Sequence, residues 1–275
     1  MEDQKVWYIT GASKGLGLAL VKLLLSKGNK VVATTRNLSV FDELLLAYPN
    51  HLLPLAVDIT SDENVKESIQ QTITHFGGLD VVVNNAGYSI VGSMEELTDQ
   101  EFRETIDVNL FGTVNVIRAT VPYFRNQGSG HIINISSNAG YIGFANASSY
   151  NAAKFAVIGI SEALAEETKQ FGIKVTVIAP GQFRTSFMDS LVFAENKLPV
   201  YKLAEAEKMW RECSGMQRGD PAKLVQIIVD LVNLPEPPLH LLLGPDTYQL
   251  VTEHREKEKL EIAVWKNVTL STDFD

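Results

Sequence analysis

The 275-residue chain has one cysteine, Cys213, so no internal disulfide can staple it, and a reducing compartment suits it. It also lacks an excess of positive charge: 24 Lys and Arg face 33 Asp and Glu, a formal net charge of −9. Nucleic acid and anionic membrane surfaces both require a basic footprint, so neither is expected as a partner. No apolar run approaches the roughly 18 residues of a membrane-spanning helix. The opening Met1-Glu2-Asp3-Gln4-Lys5 is acidic and polar, without the basic stretch and apolar run of a secretory leader, and the expected setting is the cytoplasm. The histidines (His51, His75, His131, His240 and His254) are scattered without paired ligand spacing, so no metal is expected. Prolines cluster only at 235–238, and no repeat or linker separates two cores. A single domain over 1–275 is expected.

What is present is ordinary globular material, 45% hydrophobic and 21% charged, which excludes disorder. Near-continuous apolar runs predict strands at about 5–10, 30–35, 52–57, 79–84, 130–136, 173–179 and 239–243. Continuous rather than alternating runs mark strands buried on both faces, as in a parallel sheet. Helical patterns fall between them, at about 15–28, 61–76, 98–126, 148–171, 200–213 and 220–233, the last with Asp220 as cap and Pro221 at the first helical position. This alternation predicts a doubly wound α/β fold. Two stretches break it: an apolar, aromatic-rich segment at 181–215 and the tail from 244 to 275.

Candidate chemistry gathers at strand ends. Thr10-Gly11-Ala12-Ser13-Lys14-Gly15-Leu16-Gly17 follows the first strand and opens the first helix. Glycines there let backbone approach a pyrophosphate, and the helix N-terminus offers free N–H groups. A plain tight turn would read the same, and the spacing G-x-x-x-G-x-G is not the common one. The second strand ends Thr34-Thr35-Arg36, with no carboxylate to take a ribose 2′-hydroxyl. Arg36 and Lys14 can instead neutralise a 2′-phosphate, which favours NADP(H) over NAD(H). Asp58, with Ile59 beside it, fits two roles equally: accepting from an adenine amino group or capping the next helix, where Thr60 and Ser61 compete.

Tyr150 and Lys154 are four residues apart, on one face of a helix. An ammonium beside a phenol favours the phenolate and tunes it for proton transfer. Such pairs are common in structural roles, but Ser137, thirteen residues upstream, closes an apolar strand whose end points into the crevice of an open α/β sheet. A hydroxyl there can polarise a carbonyl oxygen. Asn84-Asn85-Ala86-Gly87 ends another strand at the same rim, and Asn109 is a small amide placed inside a helix.

Together these motifs resemble the short-chain dehydrogenase/reductase family in its Tyr-x-x-x-Lys branch, over roughly residues 5–235. The resemblance implies a single-domain Rossmann fold with a doubly wound, mostly parallel seven-stranded sheet. It implies an oxidoreductase in which Tyr150 is the acid/base, Lys154 lowers its pKa and binds the nicotinamide ribose, Ser137 polarises the substrate oxygen, and Asn109 holds a water leading from Lys154 to solvent. It places the cofactor on Gly11, Ser13, Lys14, Gly15, Leu16, Gly17, Arg36, Asp58, Ile59, Asn85, Ala86 and Gly87, then on Pro180, Gly181 and Thr185. The segment at about 181–215 becomes the substrate lid, and the layout with its extension over about 245–275 is loosely similar to the 17-beta-hydroxysteroid-dehydrogenase-like subgroup. The implied function is an NADP(H)-dependent carbonyl reductase or alcohol dehydrogenase acting on a hydrophobic ketone or hydroxysteroid-like substrate, in a homodimer or homotetramer. A non-catalytic NADP(H)-binding redox sensor is the alternative. An enoyl reductase spaces its Tyr and Lys more widely, and a nucleotide-sugar epimerase carries a differently spaced glycine loop.

Overall fold

The computed structural model describes residues 4–274. In chain order the elements are β1 Val6–Ile9, α1 Gly15–Ser26, β2 Lys30–Thr35, α2 Asp42–Ala47, β3 Leu52–Ala56, α3 Asp62–Phe76, β4 Val81–Asn84, β5 Ile90–Val91, α4 Asp99–Ile106, α5 Gly112–Gln127, β6 Gly130–Ile135, α6 Ser148–Thr168, β7 Ile173–Pro180, β8 Val192–Phe193, α7 Leu203–Glu212, α8 Pro221–Leu231, β9 His240–Leu243, α9 Pro245–Val264 and α10 Lys266–Thr269. Seven strands form one sheet in the order β3-β2-β1-β4-β6-β7-β9, and every pairing in it is parallel. The β5–β8 pair makes a small separate sheet that joins the apolar segment at 181–215 to the loop after β4.

Alternation along the strands divides the core between two faces. Trp7, Ile9, Val31, Val81, Val83 and Ile133 point to one side, where Leu20 and Leu24 of α1 and Ile228 of α8 cover them. Tyr8, Val32, Val82 and Ile132 point to the other, against Val65 and Ile69 of α3, Val116 and Phe124 of α5 and Leu164 of α6. Burying strands on both faces explains their continuous apolar sequences. Each fully buried leucine or isoleucine stabilises by roughly 1.5–3 kcal/mol. β1 lies between β2 and β4, so chain connections leave in opposite directions there and open a crevice above the strand C-termini.

The structure departs from the sequence-based expectations in three places. The helix expected at 98–126 is two, α4 and α5, joined by a π-helical turn over Asp107–Phe111. There the Asn109 amide donates to Thr105 O at 2.8 Å, a carbonyl that a regular α-helical ladder would leave to the backbone, and to Tyr88 O, in the loop after β4, at 2.9 Å. The tail expected to be irregular is mostly the 20-residue helix α9, whose apolar residues form no single stripe and so give no periodic signal. The short helix α2 went unread for want of length.

Candidate active site

Two loops at the crevice lock one another. Thr10 Oγ1 accepts the backbone N–H groups of both Asn85 and Ala86 at 3.0 Å, and Asn85 Nδ2 donates back to Thr10 O at 3.0 Å and Gly11 O at 3.1 Å. The space is tight: a Cβ on Gly11 would lie 2.7 Å from Ala86 Cα, and one on Gly17 would lie 2.5 Å from Gly11 O. Gly11 (φ +62°) and Gly15 (φ +56°) also hold left-handed backbone that other residues adopt at a cost of roughly 1–2 kcal/mol.

The catalytic candidates are brought to the same rim by a buried polar ladder. Asn84 Nδ2 donates to Asn134 Oδ1 at 2.8 Å, and Asn134 Nδ2 donates to Ser161 Oγ at 2.8 Å, tying β4 through β6 to α6. Ser136 Oγ donates to Lys154 O at 3.1 Å, and Asn151 Nδ2 donates to Ala139 O and Ile142 O, so the loop after β6 is fastened to the first turns of α6. These bonds set Ser137 against Tyr150. The fully buried Asn109 stands behind Gly87. A Cβ there would come within 2.5 Å of Asn109 Oδ1 and 3.5 Å of Lys154 Nζ, so the room glycine leaves lies between the amide and the ammonium. Asn109 Oδ1 is itself buried without a partner.

The electrostatics differ from the sequence-based expectation. Lys154 Nζ donates to Ile135 O at 2.9 Å and stands over the Tyr150 ring face, 5.5 Å from its centroid. Burial pushes Tyr150 up to about 12, opposed only by the facing Ser137 hydroxyl. Burial pushes Lys154 down to about 8. Within the chain, desolvation sets the direction at both groups, and it is the Ser137 hydroxyl, not the ammonium, that opposes it at the phenol. Tyr150 is a neutral proton donor at pH 7, and Lys154 titrates closer to neutrality than an ordinary lysine.

One cleft of about 1270 Å³ takes in most of the expected residues: Gly11, Ser13, Lys14, Gly15, Leu16, Arg36, Asp58, Ile59, Asn85, Ala86, Gly87, Ser137, Tyr150, Lys154, Pro180, Gly181 and Thr185. Gly17 and Asn109 lie behind its wall. Lys14 reaches the lid, donating to Ser190 Oγ at 2.7 Å. Asp58 Oδ1 accepts from both the N–H and the hydroxyl of Thr60, while Ser61 caps α3. The cleft also takes in Phe187 and Trp210, from the apolar segment at 181–215, and Phe144, Asp246 and Leu250, which sequence reasoning did not assign. Phe187 packs on Tyr150 with ring centroids 6.0 Å apart. Asp246 and Leu250 belong to α9, and only a reading of that helix would have found them.

Comparison with known proteins gives the family. The short chain dehydrogenase family matches residues 5–196, and the chain belongs to that family. Among curated relatives, oxidoreductase BOA17 of Botryotinia fuckeliana is 36% identical, covering 98% of this chain and 99% of its own. A 3-ketodihydrosphingosine reductase of Bacteroides thetaiotaomicron is 36% identical, over 86% of this chain and 87% of its own. Among solved structures, a short-chain dehydrogenase from Streptomyces avermitilis superposes with a TM-score of 0.92 at 35% identity, covering 99% of this chain and 100% of that one. ElxO with NADP bound superposes at 0.73 and 27% identity, covering 88% and 97%. The protein is thus an NAD(P)-dependent dehydrogenase or reductase.

Proposed function

We propose that the chain is an NADP(H)-dependent reductase of a hydrophobic ketone, or the corresponding secondary-alcohol dehydrogenase. The observation that carries this reading is the convergence of Ser137, Tyr150 and Lys154 on the cleft whose other wall is the glycine loop. The residues fit a dinucleotide: the glycine loop lines the cleft, side chains at Gly11 or Gly17 would push it off the Asn85-Ala86 turn, and the N-terminus of α1 opens onto the cleft. Arg36, exposed at the end of β2 where no carboxylate stands, supports the 2′-phosphate form.

The bound nicotinamide supplies or accepts the hydride. In the reducing direction Ser137 donates a hydrogen bond to the carbonyl oxygen as charge grows on it, a contribution of about 10²–10³ in rate. Tyr150, held protonated by burial, gives its phenolic proton to that oxygen. Lys154 stands over the phenol to return a proton, and the space that Gly87 leaves lies between Lys154 and Asn109, whose Oδ1 is buried without a partner. Phe187 packs beside the Tyr150 ring.

Phe144, Phe187, Leu191, Val192, Trp210 and Leu250 give the substrate end an apolar wall. The cations lining the cleft, Lys14, Arg36 and Lys154, are all assigned to cofactor and catalysis, which leaves none for an anionic substrate. A bulky or extended ketone fits, and one relative is by name a 3-ketodihydrosphingosine reductase. Phe111 (51% exposed) and Phe155 (45% exposed) on the π-turn and α6 support a homodimer, or a homotetramer built from it. No helix among the described residues is long and apolar enough to cross a membrane, and we place the protein in the cytoplasm.

The test is binding of NADPH and NADH, followed by nicotinamide absorbance with a panel of ketones, aldehydes and steroids. Preferential NADPH binding with turnover of an apolar ketone is expected. Tight binding with no turnover on any carbonyl would favour the non-catalytic sensor instead.

A further inference from the structure

We propose that Asp246 is a positioning residue that ties the C-terminal helix to the cofactor-side turn after β7. This rests on the reading above that a nicotinamide dinucleotide lies along the cleft.

Asp246 sits in the first turn of α9, where an acid usually serves its own helix. Here α9 has no side-chain cap, and Asp246 Oδ2 instead accepts the backbone N–H of Gln182 at 2.8 Å. The neighbouring glycine is shaped to that carboxylate, since a Cβ on Gly181 would run into both of its oxygens. Gly244, at φ +109°, turns the chain out of β9 so that Asp246 comes to lie against Gly181. Gly181 N–H also donates to Leu243 O at 2.8 Å, so the turn is gripped on both sides. Gly181, Gln182 and Asp246 all line the cleft. A few residues on, the same segment reaches the glycine loop: the space over Gly15 is bounded by Thr185 Cβ and Ser186 Oγ, each 3.7 Å from where a Cβ would sit. The carboxylate thus anchors one end of a strap whose other end closes over the glycine loop. Releasing the Gln182 N–H frees the strap at the end of β7, directly after Pro180, whereas Arg36 follows β2 on the other side of β1.

The experiment compares Asp246→Ala and Asp246→Asn with wild type for binding of two ligands: NADPH, and 2′-phospho-ADP-ribose, which lacks the nicotinamide. Losing a hydrogen bond to a charged acceptor lowers the population of the seated strap about tenfold, and apparent affinity falls with that population, so Asp246→Ala should weaken NADPH about tenfold. It should leave 2′-phospho-ADP-ribose unchanged. Asp246→Asn, whose amide oxygen still accepts the Gln182 N–H, should recover most of the loss. Gly181→Ala should be damaging alone and markedly less so in the Asp246→Ala background, because the clashing oxygens are gone. Equal weakening of both ligands with a lowered melting temperature, no weakening of either, or strictly additive effects at 181 and 246 would overturn the proposal. Wild-type protein that binds neither ligand would overturn the cofactor reading and this proposal with it. Wild type that binds both, with an indifferent Asp246→Ala, overturns this proposal alone.

Discussion

Replacing Lys154 with methionine should make the cofactor-free protein more stable while impairing turnover. Lys154 is 4% exposed, and burial lowers it from 10.5 to about 8. At 1.36 kcal/mol per pH unit, holding it charged in the fold costs about 3 kcal/mol near pH 7. Methionine removes that cost and keeps the stem's volume, but forfeits the hydrogen bond to Ile135 O, worth about 1 kcal/mol. The expected net gain at pH 7 is about 2 kcal/mol. The sign of the pH dependence follows from proton counts. Unfolded, Lys154 keeps its proton up to about 10.5; folded, it releases it near 8. Between those values the unfolded state binds more protons, so wild-type stability from this group rises with pH. The methionine variant lacks that rise, and its advantage should shrink by about 2 kcal/mol between pH 7 and 9.5. Urea unfolding of both proteins at several pH values measures the difference, and groups common to both cancel. Parallel curves, or a variant less stable at pH 7, would refute a desolvated ammonium at this position.

Other outcomes are expected. Tyr150→Phe should lower turnover by about 10²–10⁴ while sparing NADPH binding, and surviving activity would remove Tyr150 from the proton-donor role. Arg36→Asp should raise the KM for NADPH and improve use of NADH, and an unchanged ratio of the two would sink the 2′-phosphate assignment. Gly11→Ala places a Cβ 2.7 Å from Ala86 Cα on backbone at φ +62°, so it should cost at least about 1–2 kcal/mol and abolish dinucleotide binding, read by melting and titration. Sedimentation at micromolar concentration should give a dimer or larger, and a monomer would count against Phe111 and Phe155 as an interface.

The sequence by itself carried the sheet and much of the site, because the signals there are local. All seven expected strands form, since a strand buried on both faces must be apolar at every position and so announces itself. The glycine loop, Asn85-Ala86-Gly87 and the Tyr150/Lys154 pair were legible because backbone approach and one-turn spacing are written into consecutive residues. Tertiary structure decided what depends on distant partners. Asn109, inside the π-turn, gives its amide to Tyr88 O, twenty-one residues away. The phenol's direction of shift was decided by burial, which no spacing reports. The clamp of Asp246 on Gln182 joins residues sixty-four apart, and α9 lacks the apolar stripe that would have marked it as a helix packed on the body. Periodicity reveals what each segment buries, whereas contacts between segments exist only once the sheet order brings their ends to one rim.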